Sequence, residues 1–463
     1  MSAEPASGAV PPIDNPILPA PNTTTAEAGG ALVRGCRRYA SGFLGSENTL
    51  TRNTLFIMLT TFVNAGLGAI YWLVAAHGFS PSAIGVATAV ISAMSLASLI
   101  TCSGLGTTLL EILPHRHGEA WPRTVVAVFA AGGGAGCIAG LICVAVLPMT
   151  STHLNGLRTV GWMIVVPLSV SFFSAAALSD YLFLAEKRTD LALARTTIFG
   201  VVKIGLLFVA AAAFGRGTAL GLYLTWGAAL LVSLGPAWVF ATRLLKRSVR
   251  AAWHGLGGEL WSLRGSIAGH QLLNALGLLT GYTLPLVVTI RLSPNANAYF
   301  YITWMVGSVF FIISASAAGS FMAEASARPE RAMHLAVRTF RLVLVVLAPV
   351  ALGVILLGHF ALGLFGAIYA SRGYGLLMIL LASAIPDAIT NIYVVVLRVQ
   401  RRFTAAATIN GVIAVATISG AWLLARSDGL EGIGWAWSIA QCIGCVLVLI
   451  LWAGGQARLR GVE

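Results

Sequence analysis

Asp387 is the residue in this chain whose type and position are best suited to chemistry. It stands about halfway along an apolar run from Leu376 to Leu397, long enough to cross a bilayer as a helix. An ionised carboxylate at that depth costs roughly 2.5–3.5 kcal/mol on insertion scales, so it must face protein or trapped water. Pro386 removes one backbone N–H and obstructs the carbonyl of Ala382, which predicts a kink just before the acid. Helical spacing sets Ser383, Asp387 and Thr390/Asn391 on one face. Two roles suit such a face. One is proton uptake and release coupled to transport; the other is a polar joint fastening helices through Asn391 or Thr390.

Other charges lie in apolar surroundings. Asp180 comes seven residues before Lys187, and Lys203 eight residues after Arg195 on the next apolar run. The two runs form one hairpin, so both side chains reach a similar depth, and buried charges are normally paired. This predicts an Asp180–Lys203 ion pair, against a snorkelling lysine and a hydrated acid. Glu111 and Glu324 close equivalent runs, either as solvated helix ends beside Arg116 and Arg328 or as gating contacts. His270, one turn into another run, is either a hydrogen-bonded interface residue or a group that titrates near neutral pH. Cys442-Ile-Gly-Cys445 lies inside an apolar run with no second pair, which predicts packing and no metal. No catalytic constellation, metal-ligand set or cofactor motif emerges. The glycine run Gly132, Gly136 and Gly140 is helix-packing G-x-x-x-G and lacks the Gly-Lys-Ser/Thr of a phosphate loop.

Composition supplies the elements that hold these residues. The 463 residues are 57% hydrophobic and only 10% charged, whereas soluble domains carry about 25% charged residues. Twelve apolar spans follow, at about 54–76, 84–105, 125–147, 160–184, 196–214 and 219–240, then 267–290, 298–322, 342–362, 376–397, 405–424 and 432–453. The longest loop, 243–265, carries Arg243, Lys246, Arg247, Arg250 and Arg264 with Trp253 and Trp261, which suits a helix on the membrane surface. Of the 29 Lys and Arg residues, 23 fall on one side of the membrane, five (Arg158, Arg216, Arg291, Arg372, Arg426) on the other, and Lys203 within a span. This bias places both termini in the cytoplasm of a multi-pass inner-membrane protein. It also makes the net charge of +13 a topology signal with no need for a nucleic-acid partner. The first 45 residues are rich in Pro, Ala, Thr and Gly and read as disordered, with Arg34, Arg37 and Arg38 suggesting a short interfacial helix.

The two sets of six spans repeat. Ser80-Pro81 and Ser293-Pro294 are 213 residues apart, as are Gly106-Thr-Thr-Leu-Leu-Glu111 and Gly319-Ser-Phe-Met-Ala-Glu324. Thr197-Ile-Phe-Gly-Val-Val202 answers Thr408-Ile-Asn-Gly-Val-Ile413 at 211. An even number of spans inserts both halves the same way up. The fold class is therefore an all-α membrane protein of two six-helix bundles related by a pseudo-two-fold along the membrane normal, with a substrate path between them. The organisation is a tail over 1–50, bundles over 51–242 and 266–454, an amphipathic linker over 243–265, and a short tail over 455–463.

This arrangement resembles the multidrug/oligosaccharidyl-lipid/polysaccharide exporter superfamily, and within it the polysaccharide-biosynthesis (oligosaccharide flippase) branch. The residues behind this are Ser103-Gly-Leu-Gly106, Tyr299-Phe-Tyr-Ile-Thr-Trp304 leading to Phe321-Met-Ala-Glu324, and Leu364-Phe-Gly-Ala-Ile-Tyr369 followed by Leu376 to Pro386. The resemblance implies a transporter moving a polyprenyl-linked oligosaccharide to the outer leaflet, with membrane lipids and the lipid-linked glycan as partners. A proton or sodium ion is a further partner if transport is coupled, and the expected state is a monomer. It also implies a cavity lined by the first, second, seventh and eighth spans. The tenth span, with Asp387, would lie outside that lining. Cavity candidates are then Arg52, Asn64 and Tyr71 on the first span, Arg264 at the mouth, and His270 with Asn274 on the seventh. Arg52, Arg116 and Arg264 lie near the cytoplasmic mouth, and no arginine is expected at mid-cavity, unlike many flippases for pyrophosphate-linked substrates. The alternatives are an ion-coupled drug or metabolite antiporter on the same fold, and an integral-membrane glycosyltransferase or polymerase. The second needs an aqueous domain with paired acids, and the outer loops offer only Asp428 and Glu431.

Overall fold

A serine followed by a proline opens two of the long helices in the same way. Ser80 Oγ accepts from the backbone N–H of Ala83 at 3.2 Å, and Ser293 Oγ from that of Ala296 at 3.1 Å. Each side chain satisfies a helix-start donor, while the proline gives up an N–H that would have had no partner. The repeat recurs at the far end of each half. The turns at Lys187 and Arg401 both adopt positive φ, 56° and 58°. Each closes a helix with the wide hydrogen bond of a Schellman motif, Arg188 N–H to Phe183 O at 2.7 Å and Arg402 N–H to Leu397 O at 2.8 Å.

The computed structural model describes residues 49–245, 255–327 and 329–460. Within it, the described residues up to Leu55 belong to one compact unit and Phe56–Glu463 is another; the bundles below concern the second. The expectations for the N-terminal tail, with Arg34, Arg37 and Arg38, fall outside the described residues, as do those for Lys246, Arg247, Arg250 and Trp253.

The helices are α1 (Thr49–Gly78), α2 (Pro81–Ile112), α3 (Ala120–Thr150), α4 (Val160–Ala185), α5 (Thr189–Phe214) and α6, which runs as Ala219–Ser233 and Gly235–Leu245. Then come α7 (Leu256–Arg291), α8 (Pro294–Ala327), α9 (Ala332–Gly363) and α10 (Ala367–Val399). Phe403–Arg460 breaks at Gly429, where φ is 60° and ψ −131°, into α11 (403–428) and α12 (430–460). That backbone conformation is open to glycine and to few other residues. All twelve expected spans are present, and the described residues contain no strand. The linker expectation needs revision at its end. From Leu256 the chain is already helical and continuous with the seventh span, so Trp261 and Arg264 ride on the first turns of α7.

Large apolar side chains such as Phe62, Leu356 and Val345 are well exposed along α1 and α9, as befits surfaces that face lipid tails. The interior is organised by α2 and α10, each enclosed by several neighbours. Gly132, Gly136 and Gly140 all face α4, where an added Cβ would come within 2.5 Å of Leu178, 2.8 Å of Ser174 Oγ and 2.5 Å of Pro167. This is the close packing that the glycine spacing predicts.

The halves meet along α2, which lies against α7 and α8. Two glycines let backbones touch there. A Cβ on Gly85 would overlap the Pro294 carbonyl, and one on Gly104 the Ile267 carbonyl. A side-chain amide locks each approach. Asn297 Nδ2 donates to Gly85 O at 2.8 Å and to Thr88 Oγ1 at 3.0 Å. At the other end, Gln271 Oε1 accepts from Gly104 N–H at 2.8 Å and Ser103 Oγ at 3.1 Å, while its Nε2 donates to Leu99 O at 2.9 Å.

Candidate functional site: a cavity between the two halves

Between the two locked ends lies a cavity of about 1190 Å³. Its wall takes residues from both halves, including α4, α5 and α6 of the first and α10, α11 and α12 of the second. Three groups define its chemistry.

The first is an ion pair. Arg195 grips Asp180 in a two-pronged contact, Nε to Oδ1 at 2.7 Å and Nη2 to Oδ2 at 2.6 Å. The arginine side chain is 10% exposed and the aspartate 42%, so the carboxylate is the member that opens to the cavity.

The second is Lys203, two turns further along α5. Its residue is 3% exposed, and its ammonium sits 4.7 Å from the ring centroids of Phe199 and Trp226 and 5.0 Å from that of Tyr71. Desolvated cation–π contacts of this kind are worth up to about 2 kcal/mol each. Among the described residues no carboxylate reaches it.

The third is Asp387, which fastens three helices. It accepts from Ser314 Oγ of α8 at 2.5 Å, from Asn391 Nδ2 on its own helix at 2.9 Å, and from Gln441 Nε2 of α12 at 3.3 Å. Thr390 Oγ1 donates to the other end of Gln441 at 3.1 Å. Asp387→Leu leaves these donors facing a methyl group, and a buried unmet donor costs about 1–3 kcal/mol. The variant should unfold at lower temperature by roughly 2 kcal/mol of stability, while Asp387→Asn loses less. Equal melting of the two variants would remove the joint from the account.

No protein-family model and no curated protein sequence matches the chain. Solved structures do. A lipid II flippase, MurJ, in an inward closed conformation superposes with a TM-score of 0.71 at 14% identity, over 86% of this chain and 87% of that one. An inward-facing multidrug resistance MATE family transporter of the MOP superfamily gives 0.61 at 14% identity, over 88% and 95%. A mutant form of the Vibrio cholerae MATE transporter VcmN gives 0.57 at 16%, over 90% and 99%. The chain has the exporter fold.

Within that fold, Asn64 lines the cavity, as do Asp180, Lys203, Asp387 and Asn391. The expected Asp180–Lys203 pair is not formed. The acid takes Arg195 instead, because α5 already begins at Thr189 and carries Arg195 beside the end of α4, whereas Lys203 lies about 12 Å further along the helix. The same extension puts Arg195, six residues from the start of α5, in the cavity wall, an arginine beyond the Arg52, Arg116 and Arg264 expected near the cytoplasmic mouth. The tenth span was expected outside the lining, yet Asp387, Thr390 and Asn391 are part of it.

Tyr71 is wholly buried in the first half, its hydroxyl 2.8 Å from Thr225 Oγ1 and its ring against Lys203. It therefore stands behind the cavity wall. Arg264 is exposed and stacks on Trp261 at 3.6 Å. The side chains of His270 and Asn274 lie outside the described residues, and Arg52 belongs to the unit that ends at Leu55.

Glu111 accepts from Ser266 Oγ of α7 at 3.0 Å, a contact between the halves. Glu324 is exposed near the end of α8. Arg116 pairs across the halves with Glu259 of α7 at 3.2 Å. Sequence reasoning passed over Arg195, Gln271, Asn297, Ser314 and Gln441. The basic residue fell just outside an apolar run, and the four neutral side chains carry no signal against apolar neighbours.

Proposed function

We propose that this protein is a flippase that moves a polyprenyl-linked oligosaccharide across the cytoplasmic membrane for cell-surface polysaccharide synthesis. Both termini are cytoplasmic, the protein acts as a monomer, and no bond is made or broken. The observation that carries this reading is Lys203, a cation in the cavity wall that no carboxylate among the described residues reaches. A fixed positive charge in a low-dielectric cavity is best satisfied by a mobile anion, and a lipid-linked sugar brings one in its phosphate linkage. The fold shared with a lipid II flippase supports the same substrate class.

Reconstitution into vesicles tests it. Leaflet exchange of pyrophosphate-linked glycolipids should be faster with the protein than without. Lys203→Met should slow it roughly tenfold or more, as for loss of one charge-assisted hydrogen bond, and Lys203→Arg should restore part of the rate. If no glycolipid moves while a gradient drives drug movement, the reading is wrong.

A second reading, ion-coupled antiport, has one observation in its favour: Asp387 also faces the cavity. Its hydrogen bonds to three helices support a joint over a proton carrier. Asp387→Asn is therefore expected to keep whatever gradient dependence the wild type shows; complete loss would favour antiport.

A further inference from the structure

A groove of about 560 Å³ lies between the last turns of α1 and α5. Its walls are apolar, with Leu73 and Val74 on α1 and Leu207, Phe208 and Ala211 on α5. Phe208 is 64% exposed, so the groove opens on the lipid-facing flank. One free cation borders it. Arg216, in the turn after α5, is exposed, and no carboxylate among the described residues pairs with it. His77 also lines the groove, but its Nδ1 donates to Leu73 O at 2.9 Å, which holds the ring on its own helix.

The duplication shows that this groove is particular to the first half. At the offset of 213 Gly78 answers to Arg291, and at 211 Ala211 answers to Trp422. In the second half that large pair fills the equivalent seam between α7 and α11. The Arg291 guanidinium lies 4.3 Å from the centre of the Trp422 ring, and its Nε donates to Trp422 O at 3.0 Å. In the first half a Cβ on Gly78 would meet nothing within 4 Å. The cation is particular too, since Arg216 answers to Ser427.

The groove also adjoins the central cavity. Leu73 of the first half and Leu364 of the second line both. Lys203 lies one turn before Leu207 on α5, so the cavity's cation and the groove follow one another along one helix. The contact is at the Gly85 end of the seam, because Phe79 lines the groove and Ser80 N–H donates to Arg216 O at 2.9 Å. Parting of the halves at that end draws Leu73 from Leu364 and joins the two spaces.

We propose that this groove holds the polyprenyl chain of the transported lipid on the outer side of the membrane, with Arg216 meeting its pyrophosphate. This rests on the flippase reading and adds to it the place where the lipid leaves the cavity. A long hydrocarbon chain loses heavily by entering water, so it stays in the bilayer while its head group crosses. The cavity therefore needs a side opening, apolar along its length and basic at the head-group level. An ordinary phospholipid would suit the apolar walls but gives no reason for a groove that adjoins the cavity.

The test uses vesicles holding the full chain and two glycolipids with the same pyrophosphate-linked head, one on a long polyprenyl chain and one on a short one. Ala211→Trp gives the first half the plug of the second. It should slow leaflet exchange of the long-chain lipid roughly tenfold and leave that of the short-chain lipid unchanged. Val209→Trp adds the same ring to the exposed side of α5, outside the groove, and should change neither. A benzophenone side chain in place of Phe208 should cross-link the long-chain glycolipid, and excess polyprenyl pyrophosphate should suppress the label where excess phosphatidylglycerol does not. Arg216→Gln should raise the glycolipid concentration at half-maximal label roughly tenfold, as for one lost charge-assisted hydrogen bond. If phosphatidylglycerol suppresses the label equally, bilayer lipid fills the groove and the proposal is wrong. If Ala211→Trp moves both glycolipids as the wild type does, or slows both equally, the groove is wrong and the flippase reading stands. If the wild type moves neither glycolipid, the flippase reading falls and takes the groove with it.

Discussion

A single methyl group at Gly85 is expected to hold the protein open at one end. The Cβ of Gly85→Ala would overlap the Pro294 carbonyl, and a backbone atom cannot rotate aside as a side chain can. Relief requires α2 and α8 to separate, which also breaks the Asn297 bonds to Gly85 O and Thr88 Oγ1. Overpacking of this kind costs up to about 3 kcal/mol, and it burdens only the closed arrangement. The population should therefore shift by about a hundredfold toward the state open at the Gly85 end.

Gly104→Ala is the mirror case, because its Cβ would meet the Ile267 carbonyl and crowd Gln271 Oε1 at 2.9 Å. With the basic end in the cytoplasm, as proposed, Gly85→Ala opens the cavity outward and Gly104→Ala opens it inward. A reporter cysteine at Ser92, a buried cavity residue, in a background without other cysteines reads this directly. An impermeant maleimide should label it faster from outside in Gly85→Ala and faster from inside in Gly104→Ala. Both variants should transport poorly, since each fails to close one end. Unchanged labelling in both would mean that these contacts do not gate the cavity.

These gates show where sequence reading stops. The twelve crossings were legible because each is an unbroken apolar run, and lipid imposes that requirement on every span alike. The duplication was legible in Ser80-Pro81 and Ser293-Pro294, because a helix start needs a cap whatever it packs against. Gly85 and Gly104, by contrast, are two of 51 glycines. Nothing local separates a glycine that faces a carbonyl of another helix from one that faces nothing, as Gly66 and Gly68 do. Gln271 and Asn297 are hidden for a related reason: an amide gains meaning only from the backbone across the seam.

The site was legible by type and misread in its pairing. Asp180, Lys203 and Asp387 stood out as charges in apolar runs, and all three line the cavity. Depth along a hairpin was then used to choose partners, and depth depends on where each helix begins. Arg195 lies just before an apolar run, and hydropathy assigned it to a loop. The helix starts six residues earlier, at Thr189, and brings that guanidinium to the carboxylate. The hydropathy boundary marks where lipid begins. It does not mark where the helix begins.

That pairing has an uneven energetic consequence. In Asp180→Leu, Arg195 keeps its charge in a site where its side chain is only 10% exposed. A stranded buried charge costs about 3–5 kcal/mol, and an arginine cannot shed its proton to escape. In Arg195→Leu, the abandoned carboxylate is 42% exposed toward the cavity and can hydrate there; its loss should be under about half as large. The double variant removes both charges and should recover most of the stability, since apolar replacement of a buried pair is often close to neutral. Chemical denaturation of the purified protein and its three variants measures the cycle. A larger loss in Arg195→Leu than in Asp180→Leu would mean that the carboxylate, and not the guanidinium, is the buried member. If the order holds, the stable double variant becomes the instrument for function. Any transport it lacks then belongs to the charges at the cavity wall, because the fold around them is intact.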